Sequence, residues 1–214
     1  MDYFSLPTST KVQRVIPKNS FDSYTNSKQK DAFTKDIAKI IWSNKLSTET
    51  INLTGKDIAE IQIFKIELKE KKDITVLLNV IDKAIPYHII FIVEFEGSVF
   101  VSTSSKHISP LNDDKSVIDW TFKSEWHNKN EMLYNLNLKR DLDSVFYDFC
   151  QQLSLKPNSK NKTINDLVQY NSQISALIKE IEQIKRNIAS CKQFNKKVEL
   201  NLKLKQLEEN LENL

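Results

Sequence analysis

Glu67-Leu68-Lys69 is the stretch of this chain whose residue types come closest to a known chemistry. An E-x-K pair on a strand is half of a nuclease signature, in which two carboxylates hold a divalent metal and a lysine positions the attacking water. That chemistry needs a second acid on a neighbouring strand. Asp57 begins the same strand ten residues earlier, so it is expected to lie far from Glu67. Glu67 and Lys69 also alternate with Ile66 and Leu68, as the solvated face of a strand does. A metal-dependent nuclease with Glu67 and Lys69 as its catalytic pair is therefore the alternative reading. The preferred one has no catalytic residues, no metal and no cofactor.

The other reactive types do not converge. His88, His107 and His127 share no helix and no paired spacing. Cys150 and Cys191 lack metal or redox spacing and both fall on apolar seams, which reads as inert thiols in a reducing, cytoplasmic setting. Trp42, Trp120 and Trp126 sit singly on amphipathic stretches and read as core rather than as base-stacking platforms. Lys71-Lys72 is one basic cluster; Lys185, Arg186, Lys192, Lys196 and Lys197 form a second, a candidate nucleic-acid contact. With 31 basic and 28 acidic residues the net charge is only +3, too mild a bias to argue for a phosphate-binding surface. Two glycines in 214 residues all but exclude phosphate-cradling loops.

These residues must be positioned by an α+β domain, expected over residues 1–156. Its first 30 residues, with Pro7 and Pro17, read as an irregular arm. Phe33, Ile37, Ile40, Ile41 and Asn44 recur at helical spacing and predict a helix over 31–45. A strand follows at 57–71, where Ile61 and Ile63 take one parity and Phe64, Ile66 and Leu68 the other. That switch implies a bulge near Phe64 or burial on both faces. Ile74, Leu77, Leu78, Ile81 and Ile85 predict a helix that Pro86 stops. "YHIIFIVEF" reads as a central strand, too short to cross a bilayer, and Glu96-Gly97 turns it into a hairpin with "SVFVSTSSK". Residues 105–116 read as loop, "SVIDWTFKSEW" as a half-buried strand, and the stretch from Leu138 or Asp141 to Leu155 as a helix. The expected sheet is mixed, with about four strands.

A polar linker, 157–162, leads to a tail at 163–214 that Thr163 and Asp166 open with a capping box. Leu167, Tyr170, Ile174, Leu177, Ile181, Ile184, Ile188 and Cys191 step by three and four, an a/d seam. A second seam, Leu200, Leu204, Leu207, Leu211 and Leu214, is out of phase with the first. On a straight helix the sixteen residues from Ile188 to Leu204 turn the seam by roughly 160°. A helical hairpin folded near Asn195 removes that conflict, with Phe194 and Val198 closing its end. The tail is then a docking element whose partner-binding residues are Leu167, Ile174, Ile181, Ile188, Phe194 and Val198; pairing with a second copy is the other use of such a seam.

"IPKNSF", "IWSNKLSTETINL", "IDKAIPYHIIF" and "KQFNKKVELN" together resemble an uncharacterised bacterial domain-of-unknown-function family, number 4391 of its series, across nearly the whole chain. The resemblance implies an accessory subunit of a restriction-like or antiphage defence system, partnered by a helicase or a DNA methyltransferase, with DNA contact possible and no membrane. It carries no catalytic residues. Pro17, Trp42, Lys45, Leu46, Thr50, Asn52, Asp82, Pro86, Phe194 and Asn195 match its motifs, as residues for fold or docking.

Overall fold

The computed structural model describes residues 3–109, 112–156 and 163–214, which divide into two compact units, Met1–Leu153 and Ser154–Leu214. The linker expected at 157–162 lies outside the described residues. The first unit is built on one open mixed sheet in the order β1 (Lys11–Val15), β2 (Ile37–Ser47), β3 (Glu60–Leu68), β4 (His88–Phe95), β5 (Ser98–Ser109) and β6 (Asn112–Lys123). A two-residue β7 (His127–Asn128) pairs with the start of β5. β3 and β4 are parallel and every other pairing is antiparallel. The sheet thus has seven strands rather than about four.

Two of the added strands come from misread local patterns. The helix expected over 31–45 is real only as α1 (Ser27–Asp36); from Ile37 the chain is β2. The buried positions Ile37, Ile40 and Asn44 do follow one another by three and four. Two bulges produce that spacing: the register with β3 slips between Ile37 and Lys39 and again between Trp42 and Asn44, leaving Ala38 and Ser43 unpaired. Each bulge flips the alternation, and two flips imitate a helical period. The N-terminal arm is not irregular throughout either. Lys11–Val15 forms an edge strand on β2, tied down by the buried Asn44 Nδ2, which donates to Thr10 Oγ1 at 2.8 Å.

β3 is regular and buried on both faces, and the bulge suspected near Phe64 sits opposite it, in β2 at Ser43. On one face Phe64, Ile66, Phe91, Val93 and Phe100 pack under α1 and α3 (Thr75–Ala84), the helix that makes the parallel crossover to β4. Burying each such side chain is worth roughly 2–3 kcal/mol. On the other face lies α4 (Leu142–Gln152), with Leu142, Val145, Phe146 and Phe149 buried and Phe146 against His88. Asp141 caps α4, and the Asp143 carboxylate accepts the N–H groups of Lys56, Asp57 and Ile58, fastening the loop before β3 to it. Glu96 (φ 44°) and Gly97 (φ 82°) both take positive φ, the two-residue turn that suits a twisted hairpin. Of the loop expected over 105–116, residues 105–109 are instead the far end of β5 and residues 112–116 the start of β6, while residues 110 and 111 lie outside the described residues. A short helix, α2 (Thr48–Ile51), follows β2.

In the second unit α5 (Ile164–Ser190) starts at the Thr163/Asp166 capping box, and α6 (Phe194–Asn213) follows. Ile181, Ile184 and Leu207 form a buried cluster with Leu177, Ile188, Leu200, Leu204 and Leu211 around it. Lys185–Glu208 (2.9 Å) and Lys203–Glu180 (2.7 Å) join the two helices at their edges. The break between them is extended backbone at Cys191 (ψ 125°) and Gln193 (ψ 123°), and Asn195 lies inside α6 rather than at a left-handed turn. Among the described residues no helix is long and apolar enough to cross a membrane.

Candidate functional site

Glu67 and Lys69 are not brought together as an E-x-K pair. Lys69 lies just past the end of β3, and its ammonium donates to the Thr34 carbonyl at 2.8 Å, in the last turn of α1. Asp57 precedes the opposite end of β3, whose span from Glu60 to Glu67 is about 23 Å at about 3.3 Å per residue. The acid beside Glu67 is one that sequence reasoning passed over: Glu94 of β4, directly across the parallel pairing. Lys65 stands between them, 3.1 Å from each carboxylate, and Lys129 reaches Glu94 at 2.7 Å. Burial alone would lower the Lys65 pKa, but its hydrogen bonds to Glu67 and Glu94 outweigh that and hold it above the usual lysine value. Two acids and two lysines cancel, so this arrangement locks the carboxyl ends of β3 and β4. No group of three or more His, Cys, Asp or Glu placed to hold a metal occurs among the described residues.

The most strongly perturbed ionisable groups lie nearer the start of β4. Lys106 and Asp82 are each 1% exposed and pair at 2.7 Å. The ammonium also donates to the backbone carbonyls of Asp82 (2.6 Å) and Ile85 (2.7 Å), so it caps the C-terminal end of α3 where the helix dipole is negative. Burial pushes the Lys106 pKa down and the Asp82 pKa up, and their mutual attraction opposes both. His88 is held to about 4 by burial first, then by the nearby Lys106 charge, with Asp143 pulling weakly the other way. Its neutral ring packs edge-on against Phe146 at 4.5 Å. His127 accepts or donates to the buried Tyr3 hydroxyl at 2.7 Å, and burial pushes that phenol up to about 12. His107 pairs with Asp119 at the surface. Burial raises the Cys150 thiol, and Cys191 sits at the C-cap of α5.

In the tail the expected partner-binding residues separate into two sets. Leu167, Ile174 and Ile181 are buried, and Ile188 packs beside the Ile181 cluster, so this seam is already used. Phe194 and Val198 do not close the end of the helix pair. They stand 79% and 44% exposed on α6, and Leu202, 61% exposed, continues the row. Of the basic cluster, Lys185 is spent on Glu208 and Arg186 donates to Gln183, whereas Lys192, Lys196 and Lys197 have no carboxylate partner among the described residues.

A family model described as "Domain of unknown function (DUF4391)" matches residues 4–211. The chain belongs to this family. Comparison with curated proteins and with solved structures gives no match. Of the DUF4391 motif residues, several hold the turn after β2: Thr50 Oγ1 accepts from the Ser47 N–H (3.0 Å) and donates to the Lys45 carbonyl (2.9 Å). Asn52 ends α2 in the left-handed conformation (φ 55°). Asp82 is the partner of Lys106, and Phe194 begins the exposed row on α6.

Proposed function

We propose that this DUF4391 chain is a non-catalytic accessory subunit that docks a protein partner through a C-terminal helical hairpin made of α5 and α6. The observation that carries the reading is the row Phe194, Val198 and Leu202. These residues recur every fourth position of α6, on one face of the helix, and stay exposed while the remaining seam is consumed. Lys197, about 60° round the helix from Phe194 at about 100° per residue, borders the row, so it suits a partner helix with apolar anchors and an acidic group on that flank. Support for the hairpin comes from the Ile181–Ile184–Leu207 cluster and the two ion pairs that flank it. The family resemblance directs the choice of partner to a helicase or DNA methyltransferase of a restriction-like antiphage system. Both cysteines are free, in keeping with a reducing cytoplasm.

Co-expression with the neighbouring helicase and methyltransferase subunits tests this. Phe194→Asp/Leu202→Asp is expected to weaken the complex by about 30-fold or more, as losing buried apolar anchors does. Circular dichroism should show the helices intact, because both residues face away from the cluster. A complex of undiminished affinity overturns the docking surface. Loss of a self-association seen in the unmutated chain alone would assign the row to a second copy instead.

A further inference from the structure

The two ends of α6 are held very differently. Toward its C-terminal end Leu207 is buried, and Leu204 and Leu211 pack around the same cluster. There the Lys156 ammonium donates to the carbonyls of Leu211 (3.1 Å) and Glu212 (2.9 Å), placing a cation where the helix dipole is negative. The N-terminal end has no such support. Gln193 occupies the N-cap, and its side chain makes no cap hydrogen bond, so the N–H groups of the first turn gain no side-chain acceptor among the described residues. The first turn holds no acid, and Lys196 and Lys197 set two positive charges where the dipole is already positive. None of the residues 194–203 is buried, and Leu200 alone of their apolar side chains packs on the α5 cluster. α5, by contrast, opens at the Thr163/Asp166 capping box and buries side chains from Leu167 to Ile184.

We infer, on the reading that α6 docks a protein partner, that its N-terminal half opens locally in the free chain and folds fully only when the partner covers it. This half carries the whole row Phe194, Val198 and Leu202. A helical segment with no buried anchor and no cap belongs to the low-stability end of a fold, and a few turns of helix do not sustain themselves in water. Fraying from Phe194 inward meets its first firm stop at Leu204, where the packing around Leu207 begins. Covering the row supplies the apolar contact that this half lacks. Docking then includes the cost of ordering the segment, so the apparent affinity is lowered by the fraction of chains already folded there.

Hydrogen–deuterium exchange on the whole chain, free of partners, reads the opening directly. Amides of residues 198–203 are expected to be at least about tenfold less protected than those of 206–211 and of 177–188. Gln193→Ser adds a neutral cap at a residue whose backbone is already extended (φ −89°, ψ 123°). It is expected to slow exchange at 198–203 by about three- to fivefold and to leave 177–188 unchanged. The same substitution should tighten the complex with the co-expressed helicase or methyltransferase subunit by a similar factor, although it alters no residue of the row. Equal protection of the two halves of α6 overturns the inference, as does a Gln193→Ser complex of unchanged affinity. A chain that exchanges as expected yet binds neither subunit would overturn docking through α6 and leave its local opening in place.

Discussion

Lys106→Met is expected to destabilise the first unit by about 3–5 kcal/mol, the usual consequence of leaving a buried ion without its counter-charge. The ammonium makes three hydrogen bonds within 2.7 Å, and the variant strands an Asp82 carboxylate that is 1% exposed together with the carbonyls of Asp82 and Ile85. Asp82 Oδ2 has no hydrogen-bond partner among the described residues, and the nearby Ser104 hydroxyl, a neutral donor, cannot supply the missing counter-charge. A domain of this size is stable by about 5–15 kcal/mol, so the loss is a large fraction of the whole. Urea unfolding followed by tryptophan fluorescence reads it cleanly. Trp42, Trp120 and Trp126 all lie in the first unit and the tail has none. The midpoint should fall with the slope unchanged. Lys106→Met/Asp82→Leu should recover most of the loss, since no uncompensated charge remains. A single variant within about 1 kcal/mol of the parent would show that the pair is not what holds the end of α3.

The parts of this fold that were legible in the sequence are those where one pattern dominated. β4 is a continuous apolar run because parallel pairing on one side and helices on both faces leave it no solvated side. α3, the Glu96-Gly97 turn and the Thr163 cap follow from period, positive φ and capping chemistry acting locally. β2 was illegible because Ala38 and Ser43 each add an unpaired residue, and a strand with two bulges presents apolar side chains at 37, 40 and 44 as a helix would. β1 is short, charged and at an edge, so it carries no alternation to find.

The candidate site suffered from the same limit at longer range. Glu94 is a lone acid inside "FIVEF", and only the equal offset of β3 and β4 across the α3 crossover places it on Glu67. Lys106 closes a Ser- and Thr-rich stretch that reads as the start of a loop, while its partners lie more than twenty residues back, at the end of α3. In each case the information resides in which residues the sheet makes adjacent, and no local window contains both members.

Acid should weaken the first unit between pH 6.5 and about 4, and His88 is the group responsible. Its folded pKa is about 4 against 6.5 in the unfolded chain. Below pH 6.5 the unfolded state takes up a proton that the folded state refuses until about pH 4, so stability present above 6.5 is lost as the pH falls through that window. At about 1.4 kcal/mol per pH unit the loss is about 3 kcal/mol. Asp73, which its hydrogen bonds from Lys123 and Thr75 hold near 2 despite partial burial, acts only at lower pH, so the two effects separate. His88→Phe keeps an aromatic ring against Phe146 and removes the proton site. Urea midpoints measured every half pH unit should fall steadily in the parent and stay nearly level in this variant down to about pH 4. The Lys106 charge is one cause of the depression, so Lys106→Met should also raise the His88 pKa and compress the acid limb toward lower amplitude. Equal midpoint changes in the parent and in His88→Phe from pH 7 to 4.5 would remove His88 from the buried, neutral role that its packing gives it, since the raised Asp82 pKa acts in both.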